Sequence, residues 1–189
     1  MSYSFKCDKI TIYTINTEDV LLFDKLLPTH IYKDIYEITP ESLREAGIAA
    51  LILDIDNTLV TYDDPKPTES VAAWLCAMHD AGIQTAFVSN NHAPRVEEFC
   101  EGLGCYFHAD AGKPSRKYLH EAMAHMGTTI ENTACVGDQL FTDVWAGKRA
   151  GMRAFLVPPI KDKRTLFFRA KRLLEKPFLR LYYKHEDRK

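Results

Sequence analysis

The chain has 189 residues, 46% of them hydrophobic and 26% charged. That is ordinary for a soluble globular protein, and long enough for one domain with a substantial core. Net charge is −2 overall, but residues 161–189 hold eleven Lys/Arg against four Asp/Glu, leaving them at +7 and the remaining chain at −9. No apolar run approaches the roughly 20 residues that cross a bilayer, and residues 1–9 lack the pattern of a signal or transit peptide.

Residues 1–47 read as an N-terminal extension. Lys9 to Asn16 alternates weakly, in the manner of a strand. Thr39-Pro40-Glu41-Ser42 fits a helix start, with Pro at the first position and an acid in the first turn, and Gly47 fits its end. Strands and helices then alternate. Strands are expected near 49–55, 85–89, 105–108, 133–137 and 153–157. Helices are expected near 69–81, 93–102, 115–126 and 142–149. Gly82, Gly104, Gly127 and Gly151 fall where helices should stop. Alternation at this spacing implies βαβ units: an α/β, Rossmann-like parallel sheet with helices on both faces. The core is assigned to residues 48–160 and a basic amphipathic tail to 161–189. There is no internal repeat.

Four segments at these strand ends carry chemistry. The apolar run Ala49 to Leu53 ends in Asp54-Ile55-Asp56-Asn57-Thr58. Side chains two apart on an extended strand point the same way, so the two carboxylates would crowd unless a cation or a proton intervened. Thr85 to Val88 leads into Ser89-Asn90-Asn91. Gly112-Lys113-Pro114 places an ammonium just before a helix. Ala134-Cys135-Val136 ends in Gly137-Asp138, with Asp143 five residues on. Taken singly, each has a bland explanation: Asn57 and Thr58 as turn residues, Ser89 and Asp138 as helix caps, Lys113 as a solvated lysine. Together they supply a nucleophile, a phosphate hydroxyl, a phosphate cation and a metal carboxylate. All sit where open α/β sheets bind ligands.

The set Asp54-x-Asp56-x-Thr58, Ser89, Lys113 and Gly137-Asp138-x4-Asp143 resembles the haloacid dehalogenase superfamily of phosphotransfer enzymes over about residues 48–158. Asp56, two residues past the nucleophile, marks the phosphatases and phosphomutases of that superfamily. The gaps from Asp56 to Ser89 and from Ser89 to Lys113 leave no room for an inserted cap domain, which resembles capless subfamily III. Leu26-Leu27-Pro28, Asp54 to Val60, Val88-Ser89-Asn90-Asn91 and Gly137 to Val144 more narrowly resemble the YqeG-type group, which is similar to phosphatidylglycerophosphate phosphatases.

This resemblance implies roles for the residues. Asp54 attacks phosphorus and Asp56 is the acid and base. Thr58, Ser89, the Asn90 backbone N–H and Lys113 serve the phosphate. The Asp54 carboxylate, the Asp56 carbonyl, Asp138 and Asp143 serve Mg²⁺. Thr58 could instead hydrogen-bond near Asp56 or simply close the turn. Capless members are implied to act on large or membrane-held substrates. The expected substrate is thus a phospholipid headgroup, with a soluble sugar phosphate, a nucleotide or a phosphorylated macromolecule as the alternative. A non-catalytic binding protein is disfavoured because every motif residue is present.

Two further features bear on location and partners. The five cysteines include no Cys-x-x-Cys pair, and Cys76, Cys100 and Cys135 lie in apolar contexts. They read as buried free thiols of a reducing cytosol, not as zinc ligands. In the tail, Leu166, Phe167, Ala170, Leu173 and Leu174 share one helical face, Arg169, Lys171, Arg172 and Lys176 spread over the rest, and Pro177 is expected to end or kink the helix. Such a helix either lies on an anionic membrane surface, giving a peripheral attachment, or packs its stripe on the core with its cations solvated. Nucleic-acid binding ranks lower, as no base-reading motif accompanies the charge.

Overall fold

A computed structural model describes residues 25–161 and 166–186, with side chains over 25–161 and 170–184. The weak alternation at Lys9 to Asn16 lies outside the described residues. Six parallel strands form one sheet: β1 (His30–Ile31), β2 (Ala50–Leu53), β3 (Gln84–Val88), β4 (Tyr106–His108), β5 (Thr133–Gly137) and β6 (Arg153–Leu156). Their spatial order is β1-β6-β5-β2-β3-β4. The helices are α1 (Pro40–Glu45), α2 (Glu69–Asp80), α3 (Ala93–Cys100), α4 (Lys117–Met126), α5 (Trp145–Ala150) and α6 (Leu166–Glu186).

Period-2 alternation sorts the central strands between two apolar layers. Leu51, Leu53, Phe87 and Val136 face α2 and α3, joining Val71, Trp74, Met78, Val96 and Phe99. Ile52, Ala86, Val88 and Cys135 face the other way, against Leu119, Ala122 and Met123 of α4 and Ala146 and Ala150 of α5. The sheet is therefore covered on both sides, as a parallel sheet must be. Helix α2 shows why its sequence fits: Thr68 caps the Val71 N–H, and Val71, Trp74, Leu75 and Met78 recur on one buried face.

The segment read as an extension contributes to this core. β1 pairs with β6, and Ile35, Ile38 and Leu43 are buried. Trp74 donates from its indole Nε1 to the Ile38 carbonyl at 2.9 Å. β1 is only two residues long, too short to leave a periodic signal.

Several expectations need correction. Cys76, expected to be buried, is exposed, whereas Cys100 and Cys135 are buried. The helix expected at 142–149 begins as a wider π turn over Leu140–Val144 and continues as α5. Pro177 does not end the tail helix, since α6 runs through it. Of its expected apolar face, Leu166 and Phe167 lie outside the residues whose side chains are described, and Ala170, Leu173 and Leu174 are exposed. Leu173 and Leu174 are each 63% exposed, whereas Glu175 is buried and Phe178 and Leu179 pack against Leu140, Val144 and Leu156. Among the described residues, no helix is long and apolar enough to cross a membrane.

Candidate active site

Strand order brings the sequence motifs together. β2 lies between β3 and β5, so the segments following these three strands meet at one edge of the sheet. The chain runs outward from β2 through β3 to β4 on one side and through β5 to β6 on the other. The β2/β5 boundary is thus a topological switch point, where such sheets open a crevice. A cleft of about 280 Å³ lies there, lined by Asp54, Asp56, Ser89, Asn90, Lys113 and Asp143, with Tyr62, Asn91, Gln139, Thr142 and Lys171 around them.

Asp54 is buried at its floor. Lys113 Nζ donates to Asp54 Oδ1 at 2.8 Å, and the Thr58 hydroxyl donates to Asp54 Oδ2 at 3.3 Å. Thr58 therefore serves Asp54, not the Asp56 side chain. The turn allowing this is tight: Asn57 takes φ 68°, a left-handed conformation that Asn tolerates, and its N–H reaches the Val60 carbonyl at 2.7 Å. Burial pushes the Asp54 carboxyl up to about 7; Lys113 pulls it down, and Asp143 and Asp138 push it up further. Lys113 is itself buried, which disfavours its charge, but Asp143 and Asp54 outweigh that and hold it protonated.

Asp56 has different surroundings. Arg95, in the first turns of α3, donates from Nε and Nη2 to Asp56 Oδ1 at 3.2 and 3.0 Å. The Asn91 amide donates to Oδ2 at 2.9 Å. Ser89 is buried, and its hydroxyl accepts the Asn91 N–H at 3.1 Å. Asn90 clamps the lysine loop: its side-chain oxygen takes the Lys113 N–H at 2.7 Å and its amide donates to the Lys113 carbonyl at 3.1 Å. The Asn90 side chain is thus committed to Lys113.

The acids form a second cluster. Asp54, Asp138 and Asp143 are all buried and offer oxygens that lie within 4.8 Å of one another. Asp143 Oδ2 accepts the Gln139 N–H at 3.1 Å and the Thr142 hydroxyl at 3.2 Å. Its Oδ1 is buried and pairs with Lys113 Nζ at 2.6 Å. Gly137 is required beneath it, because a Cβ there would sit 2.3 Å from the Asp143 Cβ. Three buried carboxylates facing one ammonium, Lys113, and one guanidinium, Arg172, leave surplus negative charge. An all-oxygen donor set converging within 4.8 Å fits a hard divalent cation such as Mg²⁺.

Helix α6 contributes Lys171 to the lining of the cleft, which nothing in its own sequence announced. Arg172 donates to the Asp138 carboxylate, to the Asp138 carbonyl at 2.6 Å and to Glu175 Oε2 at 2.9 Å. Glu175 Oε1 accepts the Leu140 N–H at 3.1 Å. Lys171 donates to the Gln139 side chain. The expectation that the tail cations are either a solvated face or a lipid-binding surface is therefore corrected for Lys171 and Arg172. Burial pushes the Asp138 carboxyl up to about 6, with Asp143 adding to the push and Arg172 opposing it.

Sequence reading missed Tyr62, Arg95, Gln139, Lys171 and Arg172. Arg95 had a faint signal, since it stands one turn into the helix that follows Ser89. The others had none.

A parallel α/β sheet carrying clustered carboxylates and one buried lysine at its switch point defines a hydrolase of the haloacid dehalogenase type. The family model for haloacid dehalogenase-like hydrolases matches residues 13–151, and the chain belongs to that family. It is 39% identical over 153 residues to the probable phosphatase YqeG of Bacillus subtilis, covering 81% of this chain and 89% of that protein. It is 30% identical over 146 residues to the chloroplastic phosphatidylglycerophosphate phosphatase 1 of Chlamydomonas reinhardtii, covering 71% of this chain and 53% of the relative. An uncharacterized protein from Listeria monocytogenes shares the fold with TM-score 0.50 and 16% identity, over 62% of this chain and 85% of its own.

Proposed function

We propose that the protein is a Mg²⁺-dependent phosphomonoester phosphatase whose substrate is phosphatidylglycerophosphate. The observation that carries the chemistry is the arrangement at Asp54. Its carboxylate is buried, is oriented by Lys113 and Thr58, and lies within a ring of further carboxylates. Asp54 attacks phosphorus, the bond from phosphorus to the ester oxygen breaks, and Asp56 gives that oxygen its proton. Water then attacks the aspartyl phosphate, Asp56 takes the proton, and inorganic phosphate leaves with Asp54 restored. Ser89, the Asn90 N–H and Lys113 hold the phosphoryl oxygens, where positioned donors lower the barrier. Arg95 and Asn91 fix the Asp56 carboxylate and must yield one oxygen when it carries a proton. Asp54, Asp138 and Asp143, with the Asp56 carbonyl, would hold Mg²⁺, which would offset the charge of the carboxylates and the phosphoryl group.

The lipid part of the reading rests on relatives and on the outer side of α6. Leu173, Leu174, Leu181 and Tyr183 are exposed there, beside exposed Lys176, Arg180 and Lys184. Such a face suits an anionic bilayer, which contributes about 1 kcal/mol per nearby cation. It implies a protein that acts in the cytoplasm at the membrane surface. The absence of a cap in the described core leaves the cleft open to a headgroup.

Phosphate release from an aryl phosphate tests the chemistry. Asp54→Asn should lower kcat by about 10⁴-fold or more with the fold intact. EDTA should remove wild-type activity and Mg²⁺ restore it. Near-normal turnover by a folded Asp54→Asn protein sinks the mechanism. Sedimentation with anionic vesicles at low and high salt tests the membrane part; binding that ignores salt and lipid charge leaves a phosphatase of soluble substrates.

A further inference from the structure

From the position of Lys171 we infer that the cleft has a second anion subsite, so that the substrate is a phosphomonoester bearing another anionic group. This rests on the phosphatase reading above. Among the described residues, two ammonium groups line the cleft, Lys113 and Lys171. Lys113 is committed at the floor to Asp54 and Asp143. Lys171 comes from α6 and has a neutral partner, the Gln139 side-chain oxygen. The carboxylates nearest it are already engaged: Asp138 and Glu175 by Arg172, and Asp143 by Lys113. Among the described residues, Lys171 has no carboxylate within ion-pair distance.

Burial works against the charge of Lys171, only partly offset by Asp143, Glu175 and Asp138 farther off. A half-buried ammonium without a counter-ion has an unmet electrostatic demand that an anion would meet. The wall presenting it is pinned, because Arg172 and Glu175, one and four residues on, bind Asp138 and the Leu140 N–H. Lys171 is thereby held in place at the rim, as a specificity group should be. The shared chemistry is a phosphate or phosphodiester oxyanion attached to the leaving alcohol. It could belong to a soluble bisphosphate or to a lipid headgroup.

The test uses the full chain with Mg²⁺ and three substrates: propane-1,3-diol monophosphate, propane-1,3-diol bisphosphate, and phosphatidylglycerophosphate in phosphatidylcholine vesicles. Wild type should favour the bisphosphate or the lipid over the monophosphate in kcat/KM. Lys171→Gln should reduce that preference about tenfold, chiefly through KM, the size of one charge-assisted contact. Lys171→Arg should retain most of it, which separates a lost charge from a disturbed helix. Loss of preference in the soluble arm shows that a free anion suffices; loss in the lipid arm alone assigns the subsite to the headgroup. Either supports the inference. An unchanged preference in Lys171→Gln, an equal fall for all three substrates, or a wild type with no preference overturns it. No phosphate release from any of them by wild type would overturn the phosphatase reading as well.

Discussion

Helix α4 follows the Lys113 loop and buries Leu119, Ala122 and Met123, while α6 covers the Asp138 loop, buries Glu175, and leaves Leu173 and Leu174 63% exposed. The two helices flank one cleft but are attached by different forces. Burial of α4 is apolar, non-directional and continuous with the sheet. Attachment of α6 combines the Arg172 and Glu175 contacts with a small apolar patch at Phe178 and Leu179. Hydrogen-bonded charge is directional, so α6 is set in register even though Leu173 and Leu174 face outward. That explains how one helix can offer Lys171 to the cleft and leucines to the surroundings.

The contrast can be broken by substitutions of decreasing effect. Leu119→Ala should destabilise most, by about 2–5 kcal/mol, as it empties a fully buried site under the sheet. Urea unfolding measures it; a loss below about 1 kcal/mol would mean that α4 is not held by its core face. Next, the sheet-side cluster should respond to a cation. Mg²⁺ at about 100 times its Kd should stabilise the fold by about 2.7 kcal/mol, seen as a higher Tm, because it would bind the buried carboxylates of the folded state alone. An unchanged Tm over a wide Mg²⁺ range would count against the site.

Glu175→Ala should cost about 2 kcal/mol. It leaves the Leu140 N–H without its acceptor, while Arg172 keeps Asp138 and partial exposure. Amide hydrogen exchange at Leu140 should speed up before that of β5 does. If both protect equally, the α6 contacts do not control this loop. The smallest change is expected from Leu174→Ser, within about 0.5 kcal/mol in solution. The same variant should weaken binding to anionic vesicles, which would separate the outer face of α6 from its inner one.

The sequence by itself determined the sheet and the floor of the cleft. Apolar runs of strand length, helix-stopping glycines and polar residues just past each run are local signals. In a parallel sheet they place Asp54, Ser89, Lys113 and Asp138 at one edge whatever the remaining details. Local reading reached less far where partners are distant in the chain. Thr58 was legible as a polar turn residue, yet its partner, Asp54 and not Asp56, depended on the left-handed turn at Asn57. Arg95 on Asp56 depended on how α3 leaves β3. Tertiary structure alone decided α6. Its hydrophobic pattern offered Leu173 and Leu174 either to the core or to a membrane surface, but the core surface it meets presents the Asp138 carboxylate and carbonyl and the Leu140 N–H. Those buried polar groups demand partners, and they select Arg172 and Glu175 over leucine.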